Sequence, residues 1–343
     1  MKNKWNYAFL FGLIGLTFWV MFSKVNVNEV YNIIVNAEWK YLVYGLVCML
    51  AFWLIEAVIL DLLLKKVYHR SRFWTALKIT IVGQYYSYLT PFASGGQPAQ
   101  LYEMKKDNIP MSSGTAALVG KFIIFQVTVT VYSLVVALMR IQMLFTQMEA
   151  ASAFVFIGLL INVVGLTFIV LLALKPEAAT GLMHKVIGLL KKVHLVKDQE
   201  RAIAKTSGFM EEYEHAIKAY KNDWRFTLNM FLVTIIQLTA FFSITFFIYR
   251  ALGLSGASMM HIVSLQAMLY MAVAFIPSPG TVGASEVGFA LLLGSVFSAN
   301  LVTVATLLWR GISYYFGLIL CGLFTLWLYA FGRKHEARLL EIT

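Results

Sequence analysis

Two basic side chains stand inside apolar runs. Lys121 lies nine residues into the run 113–139, and Arg310 ten residues into 301–330. A charge at the centre of a membrane span costs roughly 2.5–3.5 kcal/mol, so each should face protein or a wet cavity rather than lipid. Each also follows a helix-breaking stretch at nearly the same distance. Lys121 comes 30 residues after Pro91 in Leu89-Thr90-Pro91-Phe92-Ala93-Ser94-Gly95-Gly96-Gln97-Pro98. Arg310 comes 31 residues after Pro279 in Ile276-Pro277-Ser278-Pro279-Gly280-Thr281-Val282-Gly283. Proline lacks a backbone N–H and glycine tolerates positive φ, so neither suits a helix interior. The N–H groups freed at such a break suit an anion such as phosphate, and a nearby Lys or Arg would help to hold it. The chemistry these residue types favour is binding of a phosphate-bearing headgroup.

The candidate binding residues are therefore Lys121 and Arg310, with Pro91, Gly95, Gly96, Pro279, Gly280 and Gly283 lining the path. Gln97 and Tyr85 join them as hydrogen-bonders, and Glu286 as a residue three positions past the second tip. Glu286 has three readings: substrate contact, cap of the returning helix, and structural ion pair with Arg310. The alternative for Lys121 is snorkelling to an interface. Glu103 is expected at the cytoplasmic surface. Glu56 and Asp61, at the end of a span, read either as proton relays or as plain interface residues. The six His and two Cys show no metal-ligand spacing, so neither metal nor cofactor is expected.

Composition says which elements must carry these residues. Hydrophobic residues make up 60% of the 343 and charged ones 13%, with mean hydropathy +0.74. A soluble domain carries roughly 25% charge, so the chain reads as an integral membrane protein. Alternation at barrel-strand length is absent, which leaves helices. The net charge of +11 does not argue for nucleic acid, because the charges flank the apolar runs. Cys48 and Cys321 lie in apolar segments and read as inert thiols. Lys2 and Lys4 precede the run 7–22 without a small-residue cleavage site after it, so this run reads as a retained first span.

Apolar runs recur at about 7–22, 41–60, 113–139, 151–174, 226–249 and 301–330, each near or above the ~20 residues that cross a bilayer. Shorter segments flank the two Pro/Gly tips. The expected fold is an all-α polytopic membrane protein with six full transmembrane helices and two opposed re-entrant hairpins, about 77–102 and 259–298. A cytoplasmic amphipathic loop, about 175–225, completes a single domain. With both hairpins re-entrant, 22 of the 28 Lys and Arg fall on the side of the termini, which the positive-inside rule makes cytoplasmic. A fully crossing first hairpin would put the ten basic residues of the 175–225 loop outside. The matched spacing of tip and buried charge is that of an inverted repeat, in which broken helices meet near the midplane to form a substrate site.

With these residues in view, the chain resembles the lysylphosphatidylglycerol synthase transmembrane (flippase-like) family over nearly its whole length. The carriers are Gly83-Gln84-Tyr85, Leu89-Thr90-Pro91, Gly95-Gly96 and Lys121, then Pro277-Ser278-Pro279-Gly280, Gly283, Glu286 and Arg310. Where family members often have Arg beside the first Gly-Gly pair, this sequence has Gln97. The resemblance implies a flippase or scramblase that moves an anionic or modified phospholipid, or a lipid-linked headgroup, between leaflets of the bacterial plasma membrane. It implies a stand-alone form without a soluble synthase domain, and it allows a homodimer, since relatives can dimerise. The expected class is a translocase and not an enzyme, and without a Walker A sequence ATP does not drive it directly. Two rival classes stay open: a membrane enzyme acting on a lipid-linked substrate, and a non-catalytic partner that recruits an envelope lipid synthase through the basic loop.

Overall fold

The computed structural model describes residues 27–69, 71–142, 149–174, 222–274, 276 and 278–340, with positions 181, 185, 188, 218 and 220. The expected first span and nearly all of the 175–225 loop lie outside the described residues, as does Pro277. Among the described residues every regular element is helical. In chain order they are α1 (Val27–Val35), α2 (Trp39–Tyr68), α3 (Phe73–Leu89), α4 (Gly96–Lys106), α5 (Met111–Met139) and α6 (Glu149–Leu174). Then come α7 (Trp224–Ala251), α8 (Met259–Val273), α9 (Ala284–Leu293), α10 (Ala299–Arg310), a π-helical turn (Gly311–Tyr315) and α11 (Phe316–Leu340).

Among the described residues four segments are long and apolar enough to cross a membrane: Trp39–Tyr68, Met111–Met139, Trp224–Ala251 and Asn300–Ala330. At about 1.5 Å per residue each exceeds the ~30 Å hydrocarbon core. Helix α6 covers the expected 151–174 segment, with Ser152–Thr167 as its apolar stretch among the described residues. Helices α8 and α9 are shorter, as the sequence led one to expect of segments beside a tip.

The outward faces support a lipid setting. Val43, Val47, Leu50 and Leu54 of α2 form an exposed apolar stripe at helical spacing, matched by Leu228, Leu232 and Ile236 of α7 and Ile319, Leu323 and Leu326 of α11. Apolar exposure on this scale marks a membrane or partner surface, not one facing water. Exposed aromatics mark two rims: Trp39 and Tyr31 at one, Trp74, Trp224 and Tyr102 at the other. Trp and Tyr favour the headgroup level because they pair an apolar ring with a polar tip.

Helices α2 and α7 are antiparallel and fix which ends share a rim. The Glu38 N–H donates to the Ala251 carbonyl at 2.8 Å, and at the opposite ends Lys66 reaches Asp223 at 2.6 Å. The Asp223 side chain also caps α7, accepting the Phe226 N–H at 3.0 Å. The rim of Asp223 gathers Lys65, Lys66, Lys78, Lys105, Lys106 and Arg225, while the rim of Trp39 carries Lys40, Arg140 and Arg250.

Each Pro/Gly tip lies between two helices whose far ends come together. Lys78 near the start of α3 pairs at 2.6 Å with Asp107, the residue that ends α4. In the second hairpin, Tyr249 binds both ends. Its hydroxyl accepts the Ala257 N–H at 2.9 Å just before α8, and its ring meets Phe297, beyond α9, at 5.6 Å. The far ends of α3 and α4 thus meet at Lys78 and Asp107, and those of α8 and α9 at Tyr249. The largest core cluster lies between the two hairpins, with Met49, Trp53, Ile244, Phe289 and Trp309 among its members.

Candidate functional site

The first tip is built by the restrictions that proline imposes. A residue before proline avoids the helical region, and Thr90 is extended at φ −116°, ψ 144°, so α3 stops at Leu89. The Thr90 hydroxyl then spans the break: it donates to the Tyr86 carbonyl and accepts the Gly95 N–H, both at 2.8 Å. Helix α4 restarts at Gly96 with Pro98 inside its first turn, where the missing N–H costs nothing. A Cβ on Gly96 would stand 2.0 Å from Ser87 Oγ and 2.9 Å from the Gly83 carbonyl, so α3 and α4 touch almost backbone to backbone.

The second tip is tied differently. Ser278 accepts the Thr281 N–H on its carbonyl at 3.0 Å and donates its hydroxyl to the Val282 carbonyl at 3.1 Å. The Gly283 N–H, at the start of α9, donates to Glu286 Oε2 at 2.6 Å. Glu286 thus caps the returning helix. It also pairs with Arg310, whose Nε is 2.8 Å from Oε1 in an electrostatic contact poorly aligned for a hydrogen bond. Arg310, 4% exposed, donates a hydrogen bond to the Gly280 carbonyl at 2.9 Å.

The two tips meet. The backbone of Pro91 runs antiparallel beside that of Pro279. Neither proline has an N–H to donate, so the two do not hydrogen-bond each other directly. Among the described residues five non-glycine positions have positive φ, and three of them, Phe92, Ala93 and Thr281, lie on these tips. Such conformations cost about 1–3 kcal/mol each and persist where surrounding structure imposes them, often at functional sites.

One turn of the last helix holds both tips. The π-helical turn Gly311–Tyr315 inserts an extra residue into the span, an irregularity common at functional sites. Across it the Arg310 guanidinium lies 4.6 Å from the centre of the Tyr314 ring, a cation–π contact. Arg310 binds the carbonyl of Gly280 in the second tip, while the Tyr314 hydroxyl donates to the Tyr88 carbonyl below the first, at 3.1 Å.

Lys121 belongs to a separate cluster beside the first hairpin. Its Nζ is 2.7 Å from Glu56 Oε1 and 3.2 Å from Gln100 Oε1. The other Glu56 oxygen accepts from Gln84 Nε2 at 2.5 Å. Four elements converge here: α2 supplies Glu56, α3 Gln84, α4 Gln100 and α5 Lys121. Lys121 and Glu56 are not sealed, with side chains 14% and 11% exposed. Tyr88, Tyr270 and Cys321 lie within electrostatic reach of the carboxylate. No hydrogen bond or ion pair joins Lys121 to Arg310. Each basic residue has its own carboxylate.

The remaining candidates scatter around these two clusters. Pro91, Gln97 and Gly283 are exposed, Pro279 and Gly96 are buried, and Gly95 and Gly280 are intermediate. Tyr85 packs its ring against Gly322. Glu103, expected at the surface, is 1% exposed and held by Lys106 at 3.0 Å and the Tyr329 hydroxyl at 3.1 Å. Sequence reasoning left Glu56 as either a proton relay or an interface residue and did not join it to Lys121. The signal was an acid inside an apolar run, which needs a partner.

A family model described as lysylphosphatidylglycerol synthase TM region matches residues 7–321. The chain belongs to that family. A second member of known sequence, a "UPF0104 membrane protein" from Archaeoglobus fulgidus, is 24% identical over 305 residues, covering 86% of this chain and 89% of its own. The match to the lysylphosphatidylglycerol synthase transmembrane family takes in both tips, both carboxylate–base pairs and the π-helical turn.

Proposed function

We propose that the protein is a translocase, not an enzyme, that carries an anionic or modified phospholipid or lipid-linked headgroup between membrane leaflets. The carrying observation is the meeting of the two Pro/Gly tips at Pro91 and Pro279, with Arg310 paired to Glu286 at the second and Lys121 paired to Glu56 beside the first hairpin. Non-helical backbone at membrane depth persists only inside protein or along a wet cavity. Opposed half-membrane helices meeting at the midplane are the usual architecture of alternating-access sites. On this reading the hairpins are re-entrant and the lysine-rich rim is cytoplasmic, as are both termini, in the plasma membrane. Membership of a lysylphosphatidylglycerol synthase-type membrane family supports a lipid-related role. Lys121 offers the phosphate contact, and Arg310 shapes the second tip.

The test is leaflet exchange in proteoliposomes, with fluorescent phosphatidylglycerol or phosphatidylethanolamine and chemical quenching of the outer leaflet. Accelerated exchange in wild type, lost in Lys121→Ala and Arg310→Ala, is the expected result. Folded protein that exchanges no anionic, zwitterionic or polyprenyl lipid under an imposed gradient would refute translocation and favour a role as partner of a lipid synthase.

A further inference from the structure

The two bases within the spans are compensated in different ways. Arg310 and Glu286 are both committed to the second tip, one to the Gly280 carbonyl and the other to the Gly283 N–H. Glu56 has no such duty. Its partners are Lys121 and the Gln84 amide, and Lys121 in turn has the Gln100 amide as a second acceptor. An amide carries no charge and can present either its oxygen or its NH2.

Charge then limits what can enter. Lys121 and Glu56 sum to zero. Tyr88, Tyr270 and Cys321, the titratable groups reaching Glu56 from α3, α8 and α11, are of types that are neutral at physiological pH. Helix α7 packs on α2 and presents Gln237, which donates to the Phe52 carbonyl, while its charged residues Arg225 and Arg250 lie at its ends. Lys121 is therefore the charged neighbour that matters to Glu56. A phosphodiester that replaced the carboxylate on Lys121 would leave two anions sharing one cation in a low-dielectric site, which such sites do not tolerate.

We propose that Glu56 is the exchangeable counter-ion of a headgroup site: an anionic phosphodiester displaces its carboxylate from Lys121 while Glu56 takes up one proton from the aqueous phase. This deepens, and rests on, the translocation reading above. One O–H bond forms on Glu56 and no other covalent bond changes. The Gln84 amide, now donating to Glu56, turns its oxygen to accept the new O–H. The site is neutral before and after, so anion and proton move together. A proton gradient thereby drives or opposes lipid movement without nucleotide.

The test uses the purified full chain in detergent and weakly buffered solution, titrated with dihexanoyl phosphatidylglycerol while a pH indicator reports proton uptake. The expected result is one proton taken up per lipid bound, with apparent affinity falling by about tenfold per pH unit above the range where the proton is bound. Glu56→Gln should bind without uptake and without that pH dependence. The wild-type measurement stands even if the variant fails to fold. Binding without proton uptake, tighter proton-independent binding of zwitterionic dihexanoyl phosphatidylethanolamine, or no binding would each overturn the proposal. Leaflet exchange separates the two claims. Exchange indifferent to an imposed pH gradient overturns proton linkage alone, whereas proton-linked binding with no exchange of any lipid counts against translocation alone.

Discussion

Replacing Gly280 and Gly283 by alanine, one at a time, separates backbone strain from a specific contact. Both glycines have positive φ, +58° and +90°, so alanine at either site incurs a backbone penalty of about 1–3 kcal/mol. Their surroundings differ. A Cβ on Gly283 meets nothing within 4 Å, but one on Gly280 would lie 2.1 Å from the Tyr314 ring. That ring is held on one side by its hydrogen bond to the Tyr88 carbonyl and on the other by the Arg310 guanidinium. Displacing it forfeits a hydrogen bond of about 0.5–1.5 kcal/mol and a cation–π contact of about 0.5–2 kcal/mol. At about 2 °C per kcal/mol for a chain of this size, Gly280→Ala should lower the thermal midpoint by roughly 2–7 °C more than Gly283→Ala. The assay is thermal unfolding in detergent, followed by size-exclusion of the remaining folded fraction. A cycle with Tyr314→Ala sharpens it, because the extra penalty should vanish once the ring is gone. Equal midpoints for the two glycine variants, or an undiminished extra penalty without the ring, would refute the clamp of Tyr314 between the tips.

Three more expectations follow from named contacts. In a cycle of Glu56→Gln and Lys121→Met, each single variant should destabilise more than the double variant, since either alone leaves a charge stranded, and thermal midpoints would read the coupling. With Cys48 and Cys321 replaced, cysteines at Pro91 and Pro279 should cross-link under mild oxidation, because antiparallel partners sit about 4.5–5.5 Å apart at Cα; a faster-migrating band on non-reducing gels, with leaflet exchange arrested until reductant is added, checks it. The hydrogen bond from Lys66, then that from the Phe226 N–H, holds the Asp223 carboxyl below its ordinary value of 3.8. A depressed folded value means stabilisation that is complete above 3.8 and lost as pH falls through the folded value, so Asp223→Asn should flatten the acid limb of the pH–midpoint curve.

The four long helices were legible because their apolar runs exceed a bilayer's thickness, and most ends fall within a few residues of expectation, as for Trp224–Ala251 against 226–249, although Trp39–Tyr68 runs eight residues past the expected 41–60. The tips were legible because Pro91, Gly95-Gly96 and Pro279-Gly280 cannot continue a helix. The pairing of Arg310 with Glu286 was among the readings of those residues, and they form it at 2.8 Å. Most of what stayed hidden has one cause. The Glu56–Lys121 pair and the Tyr314–Tyr88 bond join residues far apart in the chain, and periodicity reports only on neighbours within one helix. The π-helical turn was invisible too, since Gly311-Ile312-Ser313-Tyr314-Tyr315 reads as ordinary span sequence. Glu56 could have been found by asking of every acid inside an apolar run which base answers it.

The separation of that pair along the chain has a consequence for biogenesis. Lys121 follows Glu56 by 65 residues, so during synthesis α2 is offered to the bilayer before its counter-ion has left the ribosome. An acid deep in a span is disfavoured by up to a few kcal/mol during insertion, and α2 carries a mean hydropathy of 2.4 in its most apolar window, enough to enter regardless. The nascent carboxylate then waits, protonated or hydrated, for α5. The same reversible neutralisation that lets Glu56 yield its place on Lys121 to a guest thus has its first use before the fold exists.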